Sequence, residues 1–396
     1  MGAMMNYVKL ADCCEKITDY VASGSFASLK ANVLITNQPN YAIMVKTADF
    51  SNGFTKGLTY TDKHGYEFLS NSNLFGGELI LSNIGSIGKV FIVPNLHCPM
   101  TLASNSIMVK PNKDLSVKYL YYLFSSKYGY NTLLSISSGT SMKKFNKTML
   151  KEVLIQLRTS EEQHKTVHEL DDINLAIENK KQIFSSLDEL VKSRFIEMFE
   201  NKDFGECLFE DICDCLRNGA NIKQSKTASG YPITRIETLS NDKFNLDRMG
   251  YADIFDLEKY RKYLLQTDDI LISHINSTAY LGRAVRYKGE SNTPIIHGMN
   301  LLCARIKPMY NATYIEHYLK SVRAKDYIRS ITKQAVNQAS ISTTELKLMP
   351  ISVPPIELQN EFAEFVKLID KSKFIVQQQI KDLQELLDSK MDEYFR

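Results

Sequence analysis

The sequence of 396 residues lacks the patterns that mark secreted, membrane-spanning and disulfide-bonded proteins. Its seven cysteines are irregularly spaced, which in a chain of this length does not indicate a disulfide framework. No apolar run is long enough to cross a bilayer, and no basic region followed by an apolar stretch marks a signal peptide. We therefore expect a prokaryotic, cytoplasmic protein that makes no membrane contact.

The common signatures of catalysis are also missing. There is no Asn/Asp-Pro-Pro-Tyr/Phe loop of an amino-methyltransferase, no paired acidic nuclease cluster and no Gly-x-Ser-x-Gly elbow. The glycines Gly85 and Gly88 do not form a phosphate-binding P-loop, because they stand too close together and Val90 follows the lysine. Cys213 and Cys215 have no C-x-x-C partner and no clustered histidines, so no metal site is predicted. These absences favour a binding protein without a cofactor of its own.

Length and composition indicate only broadly how many domains the chain has and what class of partner it binds. A chain of this length is typical of two to three domains. The net charge is +3 and there are 21 tyrosines, a combination that suits nucleic-acid binding. Both values also occur in proteins that bind no nucleic acid, so the alternative of tyrosines that fill the core stays open.

Residues 160–199 contain neither proline nor glycine and carry apolar residues at helical spacing. At 1.5 Å per residue, the predicted helix is roughly 60 Å long, and Ser160 with Gln163 predicts a capping box at its start. Residues 356–395 repeat this stretch at a constant shift of 196 positions, which takes Gln163 to Gln359. The predicted apolar seam comprises Leu170, Ile173, Ile177, Phe184, Leu187 and Val191 in the first helix, and Val366, Ile369, Val376, Ile380, Leu383 and Leu387 in the second.

The two seams are interrupted by lysines in alternation. Ile177 corresponds to Lys373, and Lys180 corresponds to Val376. Each helix therefore has an apolar residue where the other has a lysine, which predicts that the helices pack on each other and not on copies of themselves. Ordinary sequence drift on two exposed faces is the alternative.

Each long helix follows a globular segment, and the two segments share an order of elements. In the first, residues 78–82 and 89–93 are predicted strands joined by a glycine-containing turn, which makes a hairpin. A helix from residue 116 and a strand at residues 150–157 follow, and residues 32–36 and 41–45 are further β-type runs. Residues 268–273, 282–285, 312–319 and 346–353 repeat the plan. The predicted domains are residues 1–157 and 201–353, and the helices are residues 158–200 and 354–396.

Polar residues in the turns of both segments are candidates for DNA contact. Small hydroxyl side chains and lysines suit DNA phosphates, whereas Asn and Gln can bond to adenine edges in the major groove. A solvated turn is the alternative for each of them. The candidates are Ser86, Lys89, Thr140, Ser141, Lys143 and Lys144 in the first segment, and His274, Asn276, Arg283, Arg286, Asn337 and Gln338 in the second.

With all pieces in this order, the chain resembles the specificity subunit of type I restriction–modification systems over nearly its whole length. The local pieces are GELILSNIGSIGKV and DDILISHINSTAYLGRAV, the helix YLYYLF, the patches SSGTSMKKFNKTML and QAVNQASISTTEL, and the entries to the helices at Gln163 and at Pro354-Pro355 with Gln359. No single piece is diagnostic, but the duplication is specific.

The resemblance implies an α+β architecture: two globular α/β target recognition domains in a pseudo-twofold repeat, separated by two long helices packed as an antiparallel coiled coil. It implies that each domain recognises one half of a split target on double-stranded DNA, and that the helices set the spacer between the halves. It further implies docking of two methyltransferase (M) subunits, which hold S-adenosylmethionine, and of restriction (R) subunits, which use ATP and Mg. The specificity subunit itself catalyses nothing and holds no metal.

The second segment departs from this pattern. It lacks the Gly-Ser-Ile-Gly turn and the Ser-Gly-Thr tripeptide, and it has Asn276-Ser277-Thr278 and Ala335-Val336-Asn337-Gln338 in their place. We expect Asn337 and Gln338 to contact bases, and the lysines and arginines to contact phosphates. Two other classes of function remain: a coiled-coil scaffold without DNA recognition, and an unrecognised DNA methyltransferase or nuclease.

Overall fold

The computed structural model describes residues 7–85, 87–139, 143–200, 202–225, 227, 229–334 and 339–396. The chain forms two compact units, of which the first contains Met1–Gln182 with Gln377–Arg396 and the second contains Ile183–Val376. Each unit therefore combines one globular domain with a segment of each long helix. The domain boundaries expected from the sequence separate the helices from the domains, whereas here the helix segments belong to the same compact units as the domains.

The described residues of the first unit form ten strands, most of them short. Four of these, in the order β2-β9-β6-β7, form an antiparallel sheet. A second sheet has the order β4-β3-β8-β5, with β3 and β8 parallel, and β1 pairs with β10. The strands are β1 Tyr7–Lys9, β2 Cys14–Asp19, β3 Ala42–Val45, β4 Tyr60–Thr61, β5 Asn73–Leu74, β6 Leu79–Ser82, β7 Val90–Ile92, β8 Met100–Leu102, β9 Ser106–Pro111 and β10 Leu154–Gln156.

Helices cover the core of the first unit. Side-chain caps start several of them: the Ser116 and Ser126 hydroxyls accept from the backbone N–H three residues on. The helices are α1 Phe26–Asn32, α2 Thr47–Ser51, α3 Lys63–Phe68, α4 Val117–Ser125, α5 Lys127–Ser135, α6 Lys147–Lys151 and the long α7 Ser160–Phe199, with 3-10 turns at Leu10–Cys13, Tyr20–Ser23 and Ser70–Ser72.

The second unit repeats this plan. Its main sheet has the order β12-β21-β18-β20, which matches β2-β9-β6-β7, and β11 pairs with β24 as β1 pairs with β10. The strands are β11 Glu206–Leu208, β12 Cys213–Asn218, β13 Gln224–Ser225, β14 Tyr231–Ile233, β15 Leu239–Ser240, β16 Lys243–Phe244, β17 Gly250–Ala252, β18 Ile270–Ser273, β19 Ile275–Asn276, β20 Ala284–Arg286, β21 Leu301–Ile306, β22 Thr332–Gln334, β23 Ala339–Ile341 and β24 Pro350–Ser352.

The remaining helices of the described chain follow α7 in the sequence. They are α8 Ala312–Leu319, α9 Val322–Ser330, α10 Thr343–Lys347 and the long α11 Ile356–Tyr394, with 3-10 turns at Phe209–Ile212, Ile236–Thr238, Leu246–Arg248, Glu258–Tyr263 and Thr278–Tyr280. The helices α8 and α9 correspond to α4 and α5, and the Asn311 side chain caps α8 as Ser116 caps α4.

The long helices contribute to the core of each unit. In the first, Leu170, Ile173 and Ile177 of α7 share a buried cluster with Leu387 and Met391 of α11. These residues come from the N-terminal half of α7 and the C-terminal part of α11. In the second unit, Val191 and the ring of Phe195 share a cluster with Phe362, Val366 and Ile369, which again joins opposite ends of the two helices.

The cap of α7 differs from the one that the sequence suggested. Thr159, not Ser160, accepts from Glu162 N–H at 3.3 Å, and the Glu162 carboxylate accepts from Thr159 N–H at 2.9 Å. The Gln163 side chain is buried and accepts instead from Ser116 N–H at 2.8 Å. The predicted capping box was therefore wrong by one residue, because Gln163 is used to hold α4.

Three strand predictions also need correction. Residues 32–36 do not form a strand: Asn32 ends α1, which Ser25 caps, and Thr36 makes an isolated bridge to Tyr60. Residues 150–157 and 346–353 each begin with the last turn of a short helix, because the Asn146 and Ser342 side chains cap α6 and α10. Only β10 and β24 at the ends of these stretches are strands.

Candidate nucleic-acid interface

The turn after β6 lies directly beside the chain that precedes α6. The Asn83 side-chain amide donates to Phe145 O at 2.9 Å, and Phe145 N–H donates to Asn83 O at 3.2 Å. Ile84 bridges to Lys144, and Gly85 N–H donates to Lys143 O at 3.4 Å. Two polar stretches that lie about sixty residues apart in the sequence therefore form one continuous surface.

The same chain folds back on itself as a narrow hairpin. Ser138 and Lys144 exchange two backbone hydrogen bonds of 2.9 Å each. The Ser137 hydroxyl donates to Leu133 O at 2.6 Å, which attaches the hairpin to α5. The candidates Ser86, Thr140 and Ser141 lie outside the described residues, so their contacts with DNA stay predictions.

Three candidate lysines of the first domain are exposed around this turn: Lys89, Lys143 and Lys144. The turn that carries Lys89 is held by Ser82 N–H, which donates to Lys89 O at 2.9 Å. At Gly88, where φ is +87°, an added Cβ would stand 2.3 Å from the Tyr130 ring, so the turn can pack on α5 only with glycine here. Lys89 is therefore exposed beside a backbone hydrogen bond and a glycine that packs on α5.

The second domain builds the equivalent surface with regular strands. Ile341 N–H donates to His274 O at 2.9 Å, as Phe145 N–H donates to Asn83 O in the first domain. The strands β19, β23 and β22 form an antiparallel sheet, with Asn276 opposite Ala339. Residues 335–338 connect β22 to β23 and lie outside the described residues. The base contacts expected of Asn337 and Gln338 therefore stay predictions.

His274 is buried, and Asn276 uses its side-chain amide within the domain. His274 is 6% exposed, and burial lowers the pKa of its imidazole. The Asn276 amide donates to the Ser273 hydroxyl at 3.2 Å, and its carbonyl accepts from Ser277 N–H at 2.8 Å. A DNA contact by either residue stays a prediction, and for His274 burial argues against it.

The two candidate arginines of the second domain are engaged by neighbours. Arg283 donates to Leu239 O at 3.0 Å and pairs with Asp242 at 3.0 Å. Arg286 pairs with Asp268 and with the buried Glu316. Burial alone would raise the pKa of Glu316, but Lys320 and Arg286, among the groups around it, lower it to about 2. Arg286 thus helps to keep a buried carboxylate ionised, and its contact with phosphate stays a prediction.

Most residues of the proposed helix seam are buried or half-buried. Phe184 is half-buried, with the ammonium groups of Lys243 and Lys373 at 5.4 Å and 5.2 Å from its ring centroid. Leu187 is half-buried in the second unit, and Ile380 and Leu383 are half-buried in the first. The fully buried members are Leu170, Ile173, Ile177, Val191, Val366, Ile369, Val376 and Leu387.

Sequence reasoning missed an aromatic cluster that continues the seam. Phe195 and Phe199 pack against Phe362 with ring centroids 5.5 Å apart, and both rings also contact Tyr314 of α8. The signal was present, because Phe195 follows Val191 by four residues and Phe362 precedes Val366 by four. The cluster attaches the recognition domain of this unit to both helices.

No group of three or more His, Cys, Asp or Glu side chains suited to a metal occurs among the described residues. The cysteines are free, and burial raises the pKa of Cys14 and Cys213 to about 12, which leaves them poor nucleophiles. Within the described part of the chain, no helix is both long and apolar enough to cross a membrane.

Comparison with known proteins gives the same family twice. The family model of the type I restriction modification DNA specificity domain matches residues 5–188 and again residues 201–385. A putative specificity subunit of the type I restriction enzyme MjaX of Methanocaldococcus jannaschii is 37% identical over 187 residues, which are 47% of this chain and 44% of that protein. This chain thus spans less than half the length of that relative. The specificity subunit of the type I restriction enzyme EcoKI of Escherichia coli is 20% identical over 367 residues, 87% of this chain and 78% of that protein.

Two solved structures share the fold. A chain from work on complex assembly and conformational transition of the type I R-M system superposes with a TM-score of 0.62 at 16% identity, covering 99% of this chain and 97% of that one. The S subunit from M. genitalium gives a TM-score of 0.52 at 14% identity, covering 100% and 98%. Two family domains therefore cover most of this sequence. Their mixed helix and strand fold is shared by the solved structures. The chain therefore belongs to the type I restriction–modification DNA specificity family and contains two specificity domains.

Proposed function

We propose that this chain recognises a bipartite DNA target, one half with each domain, and so addresses a methyltransferase to it. The observation that carries the proposal is a pairing that both domains share. The segment after β6 pairs with the chain between α5 and α6, and the segment after β18 pairs with the chain between α9 and α10. That pairing joins Asn83 to Phe145 in one domain and His274 to Ile341 in the other. The framework is retained while the polar residues at its tip differ, so the two half-sites should differ in sequence.

In this proposal Lys89, Lys143 and Lys144 contact phosphates of the first half-site. All three are exposed, and ammonium groups on the backbone of DNA supply affinity without sequence preference. Lys147, by comparison, is engaged by Asp19 at 2.8 Å. Base contacts in the second half-site fall to Asn337 and Gln338, whose side chains can bond bidentately to adenine.

The long helices set the spacer between the half-sites as an antiparallel coiled coil. In support, α7 has 40 residues and α11 has 39, and each unit joins the N-terminal part of one helix to the C-terminal part of the other. A helix of this length, roughly 60 Å, exceeds one turn of DNA, which is about 34–36 Å. A pseudo-twofold arrangement of the domains would then place them in inverted orientation on the duplex.

In this proposal, partner subunits catalyse the methylation and the restriction of DNA. The long helices expose apolar side chains, among them Leu175, Leu190, Leu368 and Phe374, with exposures of 61%, 47%, 64% and 72%. Such side chains suit docking of other proteins, and we assign them to two methyltransferase subunits that bring S-adenosylmethionine and flip the target adenine. Restriction subunits, using ATP and Mg, would join this assembly, which acts on chromosomal DNA in the cytoplasm.

The proposal is tested by co-expressing the chain with the methyltransferase encoded beside it and mapping methylated adenines across the host genome. The expected result is a split motif, with two unlike short halves around a fixed gap. A continuous short motif would contradict the spacer role of the helices. Absence of methylation with a soluble, active partner would instead support a scaffold that does not recognise DNA.

A further inference from the structure

The connection between β18 and β20 carries an exposed tyrosine whose ring is supported by an arginine. Tyr280 ends the 3-10 turn Thr278–Tyr280 and is 50% exposed. The guanidinium carbon of Arg283 lies 4.8 Å from the ring centroid, in cation–π contact. The aromatic side chain is therefore ordered before any ligand arrives, which reduces the entropy lost on binding.

Arg283 is itself fixed from the opposite side. Its Nη1 donates to Leu239 O at 3.0 Å, and its Nε pairs with Asp242 Oδ1 at 3.0 Å, leaving the side chain 21% exposed. Leu239 and Asp242 belong to the β15–β16 hairpin, whose Lys243 lies over the Phe184 ring of α7. With Nη1 and Nε engaged and a carboxylate beside it, Arg283 is better placed to support Tyr280 than to bind phosphate.

The turn corresponds to the lysine-bearing turn of the first domain. Ser273 N–H donates to Arg283 O at 2.9 Å, as Ser82 N–H donates to Lys89 O at 2.9 Å. Gly282 and Gly88 precede these cations with positive φ angles of +75° and +87°. At this shared position the second domain adds an aromatic ring, whereas the first domain has Gly85, Ser86 and Ile87 and no aromatic residue.

Tyr280 also lies in the part of the domain that is proposed to contact DNA. The same connection contains Asn276, which pairs with Ala339 at the start of β23. The chain immediately before Ala339 holds Asn337 and Gln338, the residues expected to contact bases. An exposed ring in this connection can reach a base plane.

We propose that Tyr280 stacks on a base of the second DNA half-site, and that Arg283 is a positioning residue that holds the ring for this contact. The inference rests on the proposed function and adds to it a base contact that positions the half-site. Stacking of a base on an aromatic side chain tolerates any base. The ring therefore fixes where the half-site lies, while neighbouring polar groups select its sequence.

The test uses the complex of the full chain with its methyltransferase and a duplex that carries the mapped motif. 2-Aminopurine, an adenine analogue that pairs with thymine and whose fluorescence is quenched by stacking, replaces each adenine of the second half-site in turn. We expect quenching at one position with the unmodified chain and with Tyr280→Phe. Tyr280→Ala and Tyr280→Leu should abolish the quenching and weaken binding by about 5- to 150-fold. Tyr280→Leu retains apolar bulk, so its loss of signal cannot be explained by a collapsed turn.

Tyr128→Ala is the matched control, since Tyr128 is an exposed tyrosine of the first domain and its loss should leave the second half-site signal unchanged. For Arg283, the conservative variant Arg283→Lys separates two roles. A phosphate contact would survive in Arg283→Lys, and its removal in Arg283→Ala would lower the salt slope of binding by about 0.9. A positioning residue predicts loss of quenching in both variants with the slope unchanged.

The outcomes distinguish this inference from the proposed function. If the unmodified complex methylates a split motif but Tyr280→Leu keeps its affinity and quenching, the stacking contact is wrong and the specificity role stands. If the unmodified complex methylates no split motif, the proposed function fails and the stacking contact fails with it. If only the Arg283 variants behave as phosphate contacts do, Tyr280 keeps its role and Arg283 loses the one assigned here.

Discussion

Gln163 and Ser116 are joined by a hydrogen bond of 2.8 Å, from the backbone N–H that precedes α4 to the side-chain carbonyl of a buried glutamine on α7. The Gln163 amide group also donates to Asp114 O and Arg158 O at 2.9 Å each. Gln359 repeats the arrangement, accepting from Asn311 N–H at 2.9 Å and donating to Pro354 O at 2.8 Å. One buried amide thus joins each long helix to the domain that precedes it.

Replacing either glutamine should destabilise its own unit. Gln163→Ala leaves the Ser116 N–H and two backbone carbonyls without their partner, which costs about 1–3 kcal/mol. Urea unfolding, followed by fluorescence and circular dichroism, measures the loss, and Gln359→Ala should behave alike. The exposed Gln182 of the same helix is the control, and its change to alanine should be nearly neutral. Equal losses at Gln163 and Gln182 would contradict the bridging role.

Lys143 and Lys144 should supply affinity without sequence preference. Changing both to alanine removes two phosphate contacts, so the slope of log Kd against log salt should flatten by about 1.8. The methylated motif should stay the same. Lys113 is the control, because it is exposed and follows β9 at the end of the sheet away from the turn. A changed motif, or a slope unaltered in the double variant, would remove the two lysines from the interface.

The spacer should lengthen when both long helices are extended together. The division between the two units falls after Gln182 in α7 and after Val376 in α11. Seven residues inserted at both places preserve the apolar repeat and add about 10 Å, equivalent to about three base pairs of DNA. Methylation mapping should then show the same half-sites around a longer gap.

An insertion in α7 alone is the control for this experiment. It moves the apolar residues of one helix relative to those of the other, so folding and methylation should both be impaired. An unaltered gap with insertions in both helices would mean that the helices do not set the spacing.

The second unit should lose stability in mild acid. Burial lowers the pKa of His297 and His317 to about 4, whereas an unfolded histidine titrates near 6.5. Both rings are neutral in the folded chain at neutral pH, so their contribution is complete above pH 6.5 and is lost as the pH falls toward 4. Between pH 7.5 and 5 we expect a loss of about 2 kcal/mol from each.

Unfolding of a His317→Phe variant at both pH values measures how much of this loss of stability comes from His317. The His317 ring packs against those of Phe195 and Phe362, with centroids at 6.4 Å and 5.2 Å, so phenylalanine suits the site. The variant should lose less stability between the two pH values than the unmodified chain. His164→Ala, on the exposed surface of α7, should keep the full pH dependence. An unchanged pH dependence in His317→Phe would show that this ring is not the group that titrates.

The sequence predicted the long helices well because their determinants are local. Residues 160–199 have no proline or glycine, and the helix occupies Ser160–Phe199 as expected. The hairpin of β6 and β7 and the helix α8 also lie where the pattern placed them. In contrast, the bond from Asn83 to Phe145 depends on how the sheet and α5 orient two distant turns, and no local pattern contains that information.

The functional side chains were harder to assign for a related reason. A sequence shows that Arg286 is charged, but its partners Asp268 and Glu316 become neighbours only through the folding of β20 against α8. His274 likewise looks like a polar turn residue, although the following β19–β23 pairing buries it. Charge and turn position thus identify a region of the surface, while tertiary contacts decide which groups remain available.

The stretches of chain that make up each of the two units have a consequence for synthesis on the ribosome. Residues 183–376 of the second unit are continuous in the sequence, whereas the first unit combines residues 1–182 with residues 377–396. The core of the first unit includes Leu387, Met391 and Phe395, which are translated after the whole of the second unit. Translation of the first unit therefore begins before that of the second but is completed after it. The incomplete apolar core of the first unit stays exposed while the second unit is synthesised. Premature termination near residue 376 should leave the second unit folded and expose the first to chaperones and proteases.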